Sequence, residues 1–148
     1  MKSVIFSLLL LAAIPAAAQD NFSVTDGDTI KLAGITYRLW GIDAPETKQA
    51  CADGWMAGQA ASSYLRSLME GRKVECEDRG HDRYGRTIGL CNADGRDLGA
   101  GMVSAGMAWA FVRYSHDYVE PEGTARAANQ GIHSHGCQPA WEWRAERR

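Results

Sequence analysis

The sequence has no excess of basic residues. Among its 148 residues, 16 Lys and Arg stand against 18 Asp and Glu, which gives a formal net charge of −2 at pH 7. Domains that hold nucleic acid by bulk release of counterions are usually strongly basic, so this balance argues against that class. A local basic cleft is compatible with it, since 12 of the 16 basic residues are arginine, whose planar fork suits bidentate phosphate contacts.

Internal repeats and low-complexity segments are also absent beyond the first 18 residues. Hydrophobic residues make up 45% and charged residues 23% of the chain, both near the averages for soluble globular proteins. This composition excludes a disordered or collagen-like chain. The length corresponds to one domain rather than several.

The longest apolar run, residues 4–18, falls short of the roughly 20 residues that span a bilayer. It follows Lys2 and ends in Ala16-Ala17-Ala18, a pattern typical of a secretory signal peptide with an A-x-A-type cleavage site. An uncleaved membrane anchor is the alternative. We expect cleavage after Ala18, which would leave residues 19–148 with a net charge of −3, periplasmic or secreted and not attached to a membrane.

The four cysteines all follow this segment. An even number in an exported chain favours two disulfides over free thiols, and three pairings are possible. Cys76 and Cys91 end the runs 72–76 and 87–91 within two predicted strands joined by a polar segment, so antiparallel pairing could place them face to face and leave Cys51 for Cys137. Zinc ligation is disfavoured because no C-x-x-C spacing is present.

Short β-type runs separated by turn residues predict five strands, over residues 22–24, 29–32, 35–39, 72–79 and 87–92. Helical spacing predicts a first helix over residues 54–69. Asp97 can cap a second helix that reaches about residue 105, and a third is predicted from Glu120 to Gly131. The order of these elements indicates an α+β fold, with a five-stranded OB-fold barrel and three α-helices.

The tail, residues 133–148, has no clear period and is treated as a short C-terminal extension of the domain. Trp141 and Trp143 are expected to cover sheet or barrel surface. The sequence His133-Ser134-His135-Gly136-Cys137 fits no standard zinc pattern, so packing of the tail is favoured over a metal site there.

Two aspartates, Asp28 and Asp43, lie at opposite ends of the predicted β-meander, where a returning strand can bring them together. Two carboxylates with nearby carbonyl and water oxygens suit a hard cation such as Ca²⁺. The alternative is that Asp26-Gly27-Asp28 is an ordinary turn, since Asp and Gly dominate turns.

Three further residues have side chains suited to phosphate chemistry. Glu46 follows a proline, and its carboxylate could take a proton from water, although a solvated loop glutamate is the simpler interpretation. Arg38 lies within a predicted strand and needs an anionic partner, either a nearby aspartate or a substrate. Arg86 begins a strand at the sheet edge, and two arginines converging on one phosphoryl group would stabilise its transition state.

Several ordered motifs resemble the staphylococcal (micrococcal) nuclease-like family, also called thermonucleases. They are Val24-Thr25-Asp26-Gly27-Asp28-Thr29-Ile30-Lys31-Leu32, Tyr37-Arg38-Leu39, Gly41-Ile42-Asp43-Ala44-Pro45-Glu46-Thr47-Lys48 and Asp82-Arg83-Tyr84-Gly85-Arg86. The two later predicted helices also match, so the resemblance covers about residues 22–132. Several motifs that agree in order are far more specific than any one of them.

The resemblance implies a role for each matching position. Asp28, Asp43 and the main-chain carbonyl of Ala44 would bind Ca²⁺, and Glu46 would activate the attacking water. Arg38 and Arg86 would bind the scissile phosphate. The remaining matches would support the metal and phosphate sites or bind substrate: Asp26, Thr29, Arg83, Tyr84 and, near a tyrosine position of the family, Arg113.

The implied reaction is Ca²⁺-assisted hydrolysis of DNA and RNA phosphodiesters by in-line attack of water, leaving 3′-phosphate ends, by an enzyme expected to be monomeric. The alternative function is a non-catalytic OB-type module that binds single-stranded nucleic acid or another anionic polymer. The sequence departs from the family in the compact loop that holds Cys51 and in His133, which replaces a common tryptophan.

Overall fold

The structure is a computed structural model that describes residues 21–147. The expected signal peptide, residues 1–18, lies outside the described residues, so its cleavage stays a prediction. Within residues 21–147, no helix is both long enough and apolar enough to cross a membrane.

Eight strands form in the described part of the chain. They are β1 (Phe22–Asp26), β2 (Thr29–Leu32), β3 (Ile35–Leu39), β4 (Ile42–Asp43), β5 (Val74–His81), β6 (Thr87–Ala93), β7 (Arg96–Asp97) and β8 (Trp109–Ala110). The five longer strands are the predicted ones, with ends that differ by two residues at most. The other three have two residues each, which is too short for an alternating pattern to be detected in the sequence.

The five longer strands form one sheet in the order β1-β2-β3-β6-β5, and β7 extends it by pairing with β6. Neighbours are antiparallel except β3 and β6, which are parallel. A second, two-stranded sheet joins β4 to β8. This α+β arrangement is consistent with the partly open five-stranded barrel of the OB-fold.

The described chain has four α-helices and one 3-10 helix: α1 (Ala57–Met69), α2 (Leu98–Ser104), α3 (Val119–Ala127), the 3-10 helix (Gly131–His133) and α4 (Ala140–Ala145). Helix α1 buries Ala61, Leu65 and Met69 completely, which is part of the apolar stripe that predicted it. Asp97 caps α2 as predicted, since its Oδ1 accepts hydrogen bonds from Gly99 N at 2.7 Å and Ala100 N at 3.2 Å.

Two helix predictions need correction. The third helix ends at Ala127 rather than at Gly131, because the chain turns into the left-handed region at Asn129, with φ of 50°. The tail, expected to be aperiodic, contains α4, so the domain has four α-helices rather than three. A six-residue helix is too short to be stable by itself, and contacts to the rest of the domain stabilise it.

Both expected disulfides are present. Cys76 and Cys91 are directly paired positions of antiparallel strands β5 and β6. Cys51 and Cys137, separated by 86 residues, connect the loop before α1 to the tail. The second bond therefore fixes the C-terminal segment against the loop that follows Glu46.

Candidate active site

Asp28 and Arg38 are brought together by the register of strands β2 and β3. Thr29 pairs with Arg38, and Leu39 N donates to the Asp28 carbonyl oxygen at 2.8 Å. The Arg38 Nη1 atom then lies 2.9 Å from Asp28 Oδ2. Thr29 Oγ1 donates to Asp28 Oδ1 at 3.2 Å, so both oxygens of this buried carboxylate have a polar neighbour.

Asp43 reaches the same arginine because the chain reverses between β3 and β4. Gly41 adopts φ of +66° in this turn, a conformation that favours glycine. Arg38 Nη2 donates to Asp43 Oδ1 at 2.8 Å. One guanidinium thus pairs with both predicted metal-binding aspartates, and Asp43 has no exposed surface. Burial raises the pKa of Asp43, even though hydrogen bonds from Arg144 and the charge of Arg38 oppose the shift.

The Asp26-Gly27-Asp28 turn packs directly against the segment that follows Asp43. Asp28 N donates to Asp26 Oδ1 at 3.1 Å, and Ala44 N donates to Asp28 Oδ2 at 2.7 Å. A Cβ at Gly27 would lie 2.7 Å from the Cβ atoms of Ala44 and Ala61, so glycine is needed for this close approach. Burial, with the Asp28 charge beside it, raises the pKa of Asp26 to about 7.

The backbone of Glu46 is held in place by two hydrogen bonds to Gln49. Its N–H donates to Gln49 Oε1 at 3.1 Å, and its carbonyl oxygen accepts from Gln49 N at 2.7 Å. The N-terminal turn of α1 packs so tightly on this segment that a Cβ at Gly58 would overlap the Glu46 carbonyl oxygen. The Glu46 side chain is 35% exposed, so its carboxylate lies at the surface of the site.

Arg144 of α4 joins two of these acidic groups. Its Nη1 donates to Glu46 Oε1 at 2.6 Å, and its Nη2 donates to Asp43 Oδ2 at 2.8 Å. A third, longer hydrogen bond of 3.2 Å runs from Nη1 to Asp43 Oδ1. The structure therefore gathers Asp28, Arg38, Asp43 and Glu46 into one connected group that includes an arginine from the tail.

Arg86 belongs to a separate group in the turn between β5 and β6. Asp82 Oδ1 accepts from the backbone N–H groups of Tyr84 and Arg86, and its Oδ2 accepts from Arg86 Nε at 2.6 Å. Burial alone would raise the pKa of Asp82, but the Arg86 hydrogen bonds outweigh it and the pKa is lowered. The terminal nitrogens of Arg86 make no hydrogen bond within residues 21–147, which leaves them available to an anion.

Tyr84 is an exposed ring with two guanidinium groups close to it. Its side chain is 66% exposed, and the Arg83 and Arg86 Cζ atoms lie 4.8 Å and 5.7 Å from its ring centroid. Arg83 also donates to the Tyr84 hydroxyl at 2.6 Å. Arg113 lies in an exposed turn after β8, and no described contact joins it to either group.

Comparison with known proteins gives a consistent result. A model of the staphylococcal nuclease homologue family matches residues 36–135. The chain belongs to this family. The predicted resemblance and the α+β fold class are thereby confirmed, and the family is one of phosphodiester hydrolases.

Individual relatives are similar to the chain over most of its length. A micrococcal nuclease of Shigella flexneri is 32% identical, covering 97% of this chain and 91% of that protein. An uncharacterized endonuclease of Escherichia coli O157:H7 is 36% identical, over 82% of this chain and 80% of that protein. The succinoglycan biosynthesis protein ExoI of Rhizobium meliloti is also 36% identical, but the match covers 63% of its length. Two of these three names describe a nuclease, and the third names a biosynthetic process instead.

The donor set suits a divalent cation only in part. Within residues 21–147, no group of three or more His, Cys, Asp or Glu side chains is arranged to hold a metal ion. Asp28 and Asp43 supply two carboxylates, whereas Ca²⁺ takes about 6–8 oxygen ligands. Main-chain and water oxygens would have to complete the shell, in keeping with the expected contribution of the Ala44 carbonyl.

Charge also favours a cation at this position. When ionised, the acidic groups exceed the basic groups by two charges, counting Asp26, Asp28, Asp43 and Glu46 against Arg38 and Arg144. A bound divalent ion would neutralise that excess. The neighbouring Asp28 charge adds to burial in raising the pKa of Asp26.

Arg144 was not predicted from the sequence as a member of this group. A partial signal was available, because the expected Cys51–Cys137 disulfide already placed the tail beside the Glu46 loop. The helix that aims Arg144 inward was missing from the prediction, and without it the side chain could not be placed.

Proposed function

We propose that the chain is an exported, Ca²⁺-dependent nuclease that hydrolyses DNA and RNA phosphodiesters and leaves 3′-phosphate ends. The observation that carries the proposal is the pairing of one guanidinium, Arg38, with both Asp28 and Asp43, beside the partly exposed carboxylate of Glu46. Side chains suited to phosphate binding, cation binding and proton acceptance thus lie close together, which supports the proposal.

Asp28 and Asp43, with the Ala44 carbonyl, would hold the cation. Bound Ca²⁺ would supply charge stabilisation at a non-bridging phosphate oxygen. The two carboxylates are pre-positioned for this role because the β2–β3 register and the Gly41 turn fix their backbones.

The chain's own residues would carry the proton and the substrate charge. Glu46 accepts a proton from the attacking water, whose oxygen bonds to phosphorus while the bond to the 5′-oxygen breaks. The 5′-oxygen leaves with a proton from solvent, and the phosphate stays on the 3′-oxygen. Arg38 and Arg86 bind the phosphoryl oxygens as negative charge builds on them. Asp26 and Thr29 support Asp28, and Arg83, Tyr84 and Arg113 contact the polynucleotide.

Export is supported by the apolar run at residues 4–18 and by the two disulfides, since such bonds persist in oxidising compartments. Ca²⁺ is abundant outside cells, which suits an exported enzyme. We expect the enzyme to act as a monomer.

A non-catalytic module that binds single-stranded nucleic acid remains the competing function. Binding modules of this kind need a basic groove and stacking aromatics, but they need no buried pair of aspartates and no proton acceptor. The acidic groups around Arg38 favour the hydrolase.

The test is incubation of the purified protein with 5′-labelled single-stranded DNA or RNA, in Ca²⁺ or in excess EGTA. We expect cleavage only in Ca²⁺, and DNA fragments that a polymerase extends only after phosphatase removes a 3′-phosphate. Tight binding without cleavage would favour the module. Fragments extended without phosphatase would contradict the proposed bond cleavage.

A further inference from the structure

The C-terminal segment is fastened to the loop that carries Glu46 by two independent links. The first is the Cys51–Cys137 disulfide. The second is Gln49, which is fully buried. Its Nε2 donates to the Gln138 carbonyl oxygen at 2.6 Å, while its Oε1 accepts from Glu46 N at 3.1 Å. One side chain thus connects the backbone at Glu46 to the start of the tail helix.

Aromatic packing then sets the position of α4. Trp109 is the partner of Asp43 in the β4–β8 pair, so its strand lies beside the acidic group. The Trp141 ring packs edge-on against Trp109 with 6.0 Å between centroids and also contacts Phe111 at 6.0 Å. Ala140, at the start of the helix, has no exposed surface. These contacts anchor the helix over β4.

Arg144 follows Trp141 by three residues, a spacing that places both on the same side of a helix. This side faces Asp43 and Glu46, and Arg144 bonds to both carboxylates at 2.6–3.2 Å. Only Oε1 of Glu46 accepts from Arg144, and Oε2 has no hydrogen-bond partner among the described residues. The glutamate is therefore held in place with one oxygen left to accept a proton.

We propose that Arg144 is a positioning residue, held by the tail and its disulfide, that fixes the Glu46 carboxylate against Asp43 for proton transfer. The inference rests on the proposed nuclease function, because it assigns a task to the neighbour of the proton acceptor. A glutamate on a partly exposed loop would otherwise sample several rotamers, and misplacement by about 1 Å can cost about 100-fold in rate. An autoinhibitory tail, in which Arg144 blocks Glu46, makes the opposite prediction.

The first test is kinetic and compares Arg144→Ala with the matched variant Arg147→Ala. Arg147 lies on the same segment but contacts Trp143 and Glu146 instead of the acidic group. For Arg144→Ala we expect kcat to fall by about 10- to 100-fold with KM nearly unchanged. Arg144→Lys and added methylguanidinium should each restore part of the loss, whereas Arg147→Ala should behave as wild type.

Unchanged or increased kcat in Arg144→Ala would overturn the inference, and an increase would indicate autoinhibition. A loss of kcat that neither Arg144→Lys nor methylguanidinium relieves would also overturn it, because general damage to the fold is not repaired by a guanidinium. Absence of cleavage by the wild type would instead refute the nuclease function, which keeps the two failures distinct.

The second test does not depend on activity. In the NMR spectrum of the calcium-free protein, the guanidinium signals of Arg144 should shift on Glu46→Gln and stay unchanged on Glu142→Gln, an exposed glutamate of the same helix. Arg144 signals that do not respond to Glu46→Gln would show that the contact does not form in solution and would overturn the inference.

Discussion

The Arg38 guanidinium donates a hydrogen bond of 2.8 Å to the fully buried Asp43 carboxylate, five residues further along the chain. The same guanidinium forms an ion pair with Asp28. Removal of one partner from a buried pair leaves an uncompensated charge and typically costs about 3–5 kcal/mol. Arg38 therefore has a structural role in addition to its proposed contact with phosphate. A substitution of Arg38 is expected to lower both the stability of the fold and the activity.

Arg86 gives the cleaner test of phosphate binding, because its side chain is 35% exposed and lies at a turn. Arg86→Ala should lower kcat/KM by about 100-fold or more, since a charged group that contacts the phosphoryl oxygens in the transition state is lost. The melting temperature should fall less than on loss of Arg38, because Asp82 loses its ion pair but keeps two backbone hydrogen bonds. Arg126→Ala, which removes an exposed pair on α3, should retain full activity and serves as the control. Wild-type kinetics in Arg86→Ala would exclude the role.

Gly58 tests the link between α1 and the Glu46 segment. Because a Cβ at this position would overlap the Glu46 carbonyl oxygen, Gly58→Ala should displace Glu46 and lower both kcat and the melting temperature. Gly123 in α3 has open space around it, so Gly123→Ala should keep activity and stabilise the protein by up to about 1 kcal/mol. Kinetics and thermal denaturation of the two variants check this. Equal kcat and equal melting temperature in the two variants would show that the close approach of α1 to the Glu46 segment has no effect.

The hydroxyl of the buried Tyr118, the residue before α3, donates a partly buried hydrogen bond of 2.8 Å to Asp97, the cap of α2. Burial, with the Asp97 charge beside it, raises the pKa of the Tyr118 hydroxyl, so it stays a donor at all ordinary pH values. Tyr118→Phe should destabilise the fold by about 1–3 kcal/mol in urea denaturation. Tyr64→Phe is the matched control, because the Tyr64 hydroxyl donates no hydrogen bond within residues 21–147. A similar loss of stability in Tyr118→Phe and Tyr64→Phe would contradict a stabilising role for the Tyr118–Asp97 hydrogen bond.

The two disulfides should differ in effect. Cys51–Cys137 closes a loop of 86 residues and Cys76–Cys91 one of 15, so chain entropy predicts losses of about 4–5 and about 3 kcal/mol. The Cys51→Ala/Cys137→Ala variant should also lose activity, since the tail no longer holds Arg144. Urea denaturation and turnover of both double variants check this. Greater loss of activity in Cys76→Ala/Cys91→Ala would contradict it.

Local sequence patterns were sufficient for the long elements. The β2 and β3 ranges were predicted without error, because short runs bounded by Ala33-Gly34 have an unambiguous period. Asp97 was also recognisable from local sequence, because Asp is a preferred helix N-cap residue. The two-residue strands β4 and β8 were not predictable, since they exist only because the chain on either side brings them together.

The candidate site likewise has one part that local sequence patterns predict and one part that they do not. Asp28, Arg38, Asp43 and Glu46 lie within 19 residues of sequence, and motif spacing was enough to group them. Arg144 is 98 residues from Glu46, and its contact depends on a disulfide, a buried glutamine and a pair of edge-on tryptophans together. No local pattern reports such a contact.

The most direct test of the account is the rate of single-stranded DNA cleavage by wild type and Glu46→Gln, measured side by side in Ca²⁺ and in EGTA. The glutamine keeps the size of the side chain but accepts a proton far more weakly. We expect Ca²⁺-dependent cleavage by wild type, and for Glu46→Gln a turnover lower by about 100- to 10,000-fold with DNA binding retained. Equal turnover of the two proteins, or cleavage that persists in EGTA, would contradict it.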